Sequence, residues 1–180
     1  MHAFWFGAAP LRTRAEWFAK DEAFDSTIRT RFGALVEAAL AGTLPAAWAS
    51  QPLAEILLLD QFTRNVFRDS ARAHAGDTRA RALAQQLVAG TGYAALDPVE
   101  RIFVVLPFEH AEDLRLQDEA VRLFGELAAQ RAELAGYLDY AQRHREVIRR
   151  FGRFPHRNAV LGRISSAEER AFLEQPGSRF

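Results

Sequence analysis

Apolar residues recur at helical spacing along most of the chain, and no stretch alternates with the period of two that a half-buried strand requires. Ile28, Phe32, Leu35, Val36 and Ala39 predict a helix that Asp25 caps and Gly42 stops. Leu44-Pro45 reads as a connection, after which Ser50 caps a second helix with Pro52 in its first turn. Asp77 caps a third, bearing Ala80, Leu83, Ala84, Leu87 and Val88 and ending at Gly90 and Gly92. Asp97-Pro98-Val99-Glu100 is a capping box with proline at the first helical position. Its helix is expected from Val99 to about Val105, halted before Pro107.

Two long patterns follow. One starts near Ala111 with Leu114, Val121, Phe124 and Leu127. The other carries Leu134, Tyr137, Leu138, Ala141, His144, Ile148 and Phe151. A single helix over both would far exceed the usual length of about 11–12 residues, so a turn is expected between Ala128 and Gly136. Phe151-Gly152 closes the second pattern. Ser166-Ala167-Glu168-Glu169 caps a short helix to about Leu173, and the tail after Pro176 is expected to fray. The pattern therefore predicts one all-α domain over residues 1–180, with about six to eight helices packed as antiparallel neighbours. No strict repeat near 34 residues, roughly the length of common helical repeats, is visible.

Leu53 to Arg68, LAEILLLDQFTRNVFR, breaks this scheme in an informative way. Leu58, Leu59, Phe62, Val66 and Phe67 make the helix apolar nearly all round, which places it in an interior. At about 100° per residue, Leu53, Leu57, Asp60, Arg64 and Arg68 share a stripe, with Gln61 and Asn65 beside it. Charges entering a buried zone need partners. Asp60 and Arg64 can pair within the helix. Arg68 has no acid on the stripe, so its partner is a distant acid or a bound anion. At the N-terminus, Phe4, Trp5, Phe6, Trp17 and Phe18 predict a lid packed onto the core rather than a free tail.

Composition narrows the function classes. The chain has 180 residues, 49% apolar and 26% charged, as in an ordinary globular protein. Lys+Arg and Asp+Glu are both 23, so the net charge is zero, which argues against a general binder of nucleic acid or anionic membrane. Lys20 is the single lysine. With no cysteine, disulfides, thiolate metal sites and cysteine nucleophiles are excluded, and a cytoplasmic location is expected. MHAFWFGAAP lacks the basic start and apolar run of a signal peptide. No apolar run approaches the roughly 20 residues of a membrane span.

Three stretches carry candidate chemistry: Asp60 to Arg68, Pro107 to Asp113, and Arg153 to Asn158 continuing to Arg163. His110 and Asp113, three apart at a helix start, suit a general acid/base pair; the alternative is that Asp113 merely caps the helix. Arg153, His156, Arg157, Asn158 and Arg163 form a cationic loop suited to a phosphate or carboxylate, unless its arginines fasten the C-terminus by pairing with Asp60, Glu109, Glu112 or Asp113. His144 lies on an apolar stripe and reads first as a core residue with one hydrogen bond. No Glu-x-x-His, His-Glu-x-x-His, Gly-x-Ser-x-Gly or phosphate-cradling glycine loop occurs, so no metal and no cofactor are expected.

LLLDQFTRNVFR (57–68), LPFEHAED (106–113) and RFGRFPHRNAVLGRISS (150–166), with FWFG, WFAKDEAFD and AGTLPAAW, resemble the bacterial domain-of-unknown-function family 924 over nearly the whole chain. That resemblance implies an all-helical, tetratricopeptide-like superhelix or bundle, and it implies no activity. Its polar motif positions map to Asp60, Gln61, Arg64, Asn65, Arg68, His110, Glu112, Asp113, His144, His156, Arg157, Asn158 and Arg163. One departure is that this chain starts only a few residues before FWFG, where relatives carry a short lead-in.

The favoured expectation is that the three stretches share a cleft binding a small anionic ligand through Asp60, Gln61, Arg64, Asn65, Arg68, His156, Arg157, Asn158 and Arg163. His110 and Asp113 would be the catalytic pair if the ligand is hydrolysed. The alternatives are a tetratricopeptide-like peptide-binding module and a purely structural polar cluster.

Overall fold

The computed structural model describes residues 1–178, without the side chain of Ala49. The protein is all-helical, with no strand among the described residues. None of its described helices is long and apolar enough to cross a membrane. The chain forms two compact units: Met1–Arg68 with Arg72–Phe108, and Asp69–Ala71 with Glu109–Phe180.

The first unit begins with α1 (His2–Phe6) and is built on α2 (Glu22–Ala41). Asp21, not Asp25, caps α2, accepting from the amides of Ala23 and Phe24 at 2.8 and 3.1 Å. Asp25 lies one turn inside the helix and is buried. At the other end Gly42 takes the left-handed conformation (φ 71°), and the amides of Thr43 and Gly42 close onto Ala38 and Ala39. A short helix, α3 (Ala46–Ala49), follows Pro45. Ser50 does not cap the next helix; its hydroxyl turns back to Ala47 O, and Gln51 precedes Pro52 without a side-chain cap.

From Pro52 the chain runs through α4 (Pro52–Ile56), a π-helical segment (Leu57–Phe62) and α5 (Thr63–Val66). All six π-helical residues are buried. Side chains occupy carbonyls around the widened turn: Thr63 Oγ1 donates to Leu59 O at 2.8 Å, and Arg64 Nη1 donates to Asp60 O. The aromatic N-terminus packs here as expected. Trp5 is fully buried, with ring centroids 5.0 Å from Phe62 and 5.5 Å from Phe103, and the indole of Trp17 donates to Trp5 O at 2.9 Å.

The unit is completed by α6 (Asp77–Ala89), α7 (Gly92–Ala95) and α8 (Pro98–Glu109), whose last residue, Glu109, belongs to the second unit. Gly76, rather than Asp77, occupies the N-cap of α6. The Asp97–Glu100 capping box forms: Glu100 accepts from Asp97 N and Asp97 from Val99 N, both at 2.8 Å. The helix does not stop at Val105 but passes through Pro107. Proline removes one hydrogen bond there, yet residues 102–109 are all buried, and that burial outweighs the local cost.

The second unit is dominated by the hairpin of α9 (Leu114–Gln130) and α10 (Ala135–Phe151), joined by a tight turn at Ala132–Leu134, within the region where a break was expected. Gly152 ends α10 at φ 67°. A one-turn 3-10 helix (Pro155–Arg157) leads to α11 (Ala167–Leu173), which the Ser166–Glu169 capping box starts. Val147, Ile148 and Phe154 form a buried cluster, with Phe151 and Phe172 against it. The tail is held as far as Ser178, 3% exposed and donating to Leu173 O at 3.1 Å. Residues 179 and 180, where fraying was also expected, lie outside the described residues.

Gly76 is set by proximity. A Cβ there would stand 2.3 Å from Leu59 O in the π-helical segment. Gly76→Ala should lower stability by about 1–3 kcal/mol, read as a fall in the urea midpoint. Gly33, inside α2 with nothing within 4 Å of an added Cβ, should instead gain about 0.5–1 kcal/mol on Gly33→Ala. Equal midpoints for the two variants would refute this reading of the contact.

Candidate functional site

In the first unit the polar residues of the α4–α5 helix are taken up by carboxylates. Asp60 is fully buried, and Gln61 and Asn65 nearly so. Gln61 Nε2 donates to Asp60 Oδ2 at 2.6 Å. Arg64 Nη1 lies 3.5 Å from Asp60 Oδ1 and 3.1 Å from Asp77 Oδ1. Burial pulls the Arg64 guanidinium down, but the charges of Asp60 and Asp77 more than restore it, leaving it above its ordinary value. The partner that Arg68 lacked on its stripe is Asp25. Arg68 Nε and Nη2 reach the two carboxylate oxygens at 2.5 and 2.7 Å, and Asn65 Nδ2 donates to Oδ1 at 2.7 Å. Burial pushes Asp25 up. The hydrogen bonds from Arg68 and Asn65, with the charges of Arg68 and Arg29, outweigh it and hold the carboxyl below its usual value.

The second unit gathers the other two predicted stretches. Glu112 accepts both terminal nitrogens of Arg163, at 2.7 and 2.9 Å, and the amide of Phe154 at 2.8 Å. Burial pushes Glu112 up, and these bonds, with the charges of Arg163 and Arg157, bring it below the ordinary value. Arg153 makes a two-point contact with Glu169 at 2.6 and 2.8 Å, which chiefly holds that carboxyl down to about 2. Asp113 Oδ1 accepts from the amides of Arg115 and Leu116 at 2.9 and 3.3 Å, capping α9. Asn158, buried, donates to Ser165 Oγ at 3.0 Å.

Between these clamps lies a group of imidazoles. His144 is 5% exposed. Its Nδ1 is 2.9 Å from Tyr140 O and 3.2 Å from Glu109 Oε1. Its ring meets Phe154 edge-on at 5.4 Å, and Phe154 in turn lies 5.5 Å from the ring of His156 and 4.4 Å below the Arg157 guanidinium. Arg157 Nη1 donates to His110 O at 2.9 Å. Burial pushes His144 down to about 3, opposed by the bond to Tyr140 and aided by the positive charges of His110, Arg157 and His156. Nearby, a surface hollow of about 390 Å³ is lined by Glu112, Asp113, Leu114, Arg115, Ile148 and Gly152. Among the described residues no three His, Asp or Glu side chains are grouped as a metal site.

Sequence reasoning placed His144 correctly in the core, but the expectation of a single hydrogen bond is too sparse, since Glu109 Oε1 lies 3.2 Å from Nδ1 beside the Tyr140 carbonyl. It missed that Glu109 and the His110, His156 and Arg157 charges surround it. It also missed Asp25 and Asp77 as partners, because each stood where a helix cap was expected. The one available signal for Asp25 was Asp21, four residues earlier and equally suited to capping.

These observations define an all-helical protein whose two units are each clamped internally by arginine–carboxylate pairs, the second enclosing an imidazole cluster. Residues 1–177 match the model of a bacterial family of proteins of unknown function, DUF924, and the chain belongs to that family. A solved structure of a protein of unknown function from Agrobacterium tumefaciens is 41% identical, with a TM-score of 0.81 over 95% of this chain and 93% of that one. No curated protein matches the chain.

The enclosure of His144 has a consequence in pH. Above about 6.5, the ordinary imidazole value, both folded and unfolded chains hold the ring neutral. Between there and about 3, only the unfolded chain takes the proton, so stability falls with falling pH by up to about 1.4 kcal/mol per unit. Nitrogen-15 NMR of the ring should show His144 neutral at pH 5, and His144→Gln should flatten the stability profile over that window. A ring half-protonated near 6.5 would contradict the burial argument.

Proposed function

We propose that the second unit binds a small oxyanion, carboxylate or phosphate, at the imidazole cluster, with His110, His156, Arg157 and Asn158 as its donors. The observation that supports this is the convergence of two imidazoles, His144 and His156, and the Arg157 guanidinium on the ring of Phe154, with His110 acting electrostatically on His144. Burial is the chief cause of the low His144 value, and the charged forms of His110, Arg157 and His156 add a smaller positive potential at its ring. An anion entering that potential is attracted by it. The hollow beside the cluster is not itself the anion pocket, since Glu112 and Asp113 form part of its wall.

Arg64 and Arg68 have the opposite character. Each is neutralised by buried carboxylates within the first unit, which supports a bracing role for them rather than the ligand contacts expected from the sequence. The reading stops at binding: Asp113 Oδ1 is already used in capping α9, so hydrolysis by a His110–Asp113 pair gains no support from geometry.

The α9–α10 hairpin favours a second reading, a tetratricopeptide-like array offering a groove to a peptide without chemistry. Melting curves separate the two. Sulfate, phosphate or a dicarboxylate at a hundredfold excess over Kd should raise the melting temperature by roughly 5 °C or more. His156→Gln should remove that shift while leaving the unliganded melting temperature within about 2 °C. If no oxyanion in the panel moves the transition, the anion reading fails.

A further inference from the structure

Three of the five large apolar side chains left exposed among the described residues stand in one region of the second unit. Leu114 (42% exposed) opens α9, and Leu161 (36%) and Ile164 (90%) lie on the loop between the 3-10 turn and α11. Two contacts hold that loop beside the surface hollow. Arg163 grips Glu112, part of the hollow's wall, and Ile164 O accepts from Arg153 Nη2 at 3.1 Å, one residue past Gly152, which also lines it. Ile164 is thus fixed through its backbone while its side chain projects into water. The hollow has the opposite shape. Buried Ile148 and half-exposed Leu114 give it an apolar lining, and its volume of about 390 Å³ admits a branched aliphatic side chain. Contiguous apolar surface of this kind marks an interaction site more often than scattered single residues do.

The charges on the hollow's edge are complementary to themselves. Asp113 and Arg115 flank Leu114, and residues two apart at a helix start do not face each other. Both are exposed, and among the described residues neither has an ion-pair partner. We infer that this face is a two-fold interface with a second copy of the chain, in which Ile164 of each copy enters the hollow of the other, and Asp113 and Arg115 meet the partner's Arg115 and the partner's Asp113. A two-fold axis satisfies both pairings at once, because every contact of one residue with another is repeated in reverse. A different protein would need its own projecting aliphatic group, its own recess and a matching charge pair; a second copy brings all three. The exposed ion pairs set register more than strength, and the patch is small, so the association is weak and concentration-dependent. The interface is independent of the oxyanion reading.

Sedimentation equilibrium of the full chain from about 10 to 500 µM should show the average mass rising from 20.2 kDa toward twice that value. Ile164→Asp and Arg115→Glu should each weaken the association at least about tenfold. Both positions are exposed, so either variant should melt within about 2 °C of the parent chain. The chain has no cysteine, so single-cysteine variants report individual contacts. Leu114→Cys mixed with Ile164→Cys under mild oxidation should cross-link to each other in preference to either variant with itself. A mass of 20.2 kDa at every concentration would overturn the proposal and leave the hollow to a segment of another protein. A dimer that Ile164→Asp leaves intact, or that gives no cross-link between the two cysteine variants, would also overturn it, since the contact would then lie on another face.

Discussion

Two carboxylates, Asp25 and Asp60, lie almost wholly out of water, and arginines of the chain segment that begins at Pro52 reach both. An ionised carboxylate without a partner in such surroundings costs several kcal/mol. The rest of the first unit follows from that constraint. Asp25 ties α2 to Arg68 and Asn65, and Asp77 ties the start of α6 to Arg64. The π-helical turn sits between the two tethers. It is held open by Thr63 and Arg64 on one side and by the close approach of Gly76 to Leu59 on the other. Apolar packing of Trp5, Phe62 and Phe103 supplies the driving force, while the ion pairs fix which helix faces which.

The second unit uses the same device at its edges and a different one at its centre. Glu112–Arg163 and Glu169–Arg153 are two-point contacts that fasten the segment after α10. Inside them, His144 is enclosed beside Glu109, and His110, Arg157 and His156 act on it electrostatically. Charges that neutralise one another hold a fold in place. The oxyanion proposal gives the imidazole cluster a binding role, distinct from the bracing role of the paired charges at the edges.

Much of the fold was legible because helix signals are local. Gly42, the Asp97–Glu100 box, Gly152 and the Ser166–Glu169 box lie at the boundaries they predicted. Errors arose where a local signal competed with a distant demand. Asp25 and Asp77 look like caps, but their carboxylates are claimed by arginines brought near only by folding. Pro107 looks like a stop, but burial on a fully packed helix overrides it. The π-helical segment left no trace in periodicity, since a single widened turn shifts residues by less than the pattern resolves. For the proposed site, the sequence supplied the candidate residues His110, His156, Arg157 and Asn158. The enclosing geometry of Glu109 and His144 was not, because it depends on contacts more than thirty residues apart.

The claim on which most depends is that the Asp25–Arg68 contact is an energetic tether and not a surface pair. A double-mutant cycle with Asp25→Ala, Arg68→Ala and the combined variant, followed by urea unfolding, measures it directly. The account predicts a coupling energy of roughly 2 kcal/mol or more, in the range for contacting buried groups. A coupling below about 0.5 kcal/mol, as exposed ion pairs give, would contradict it.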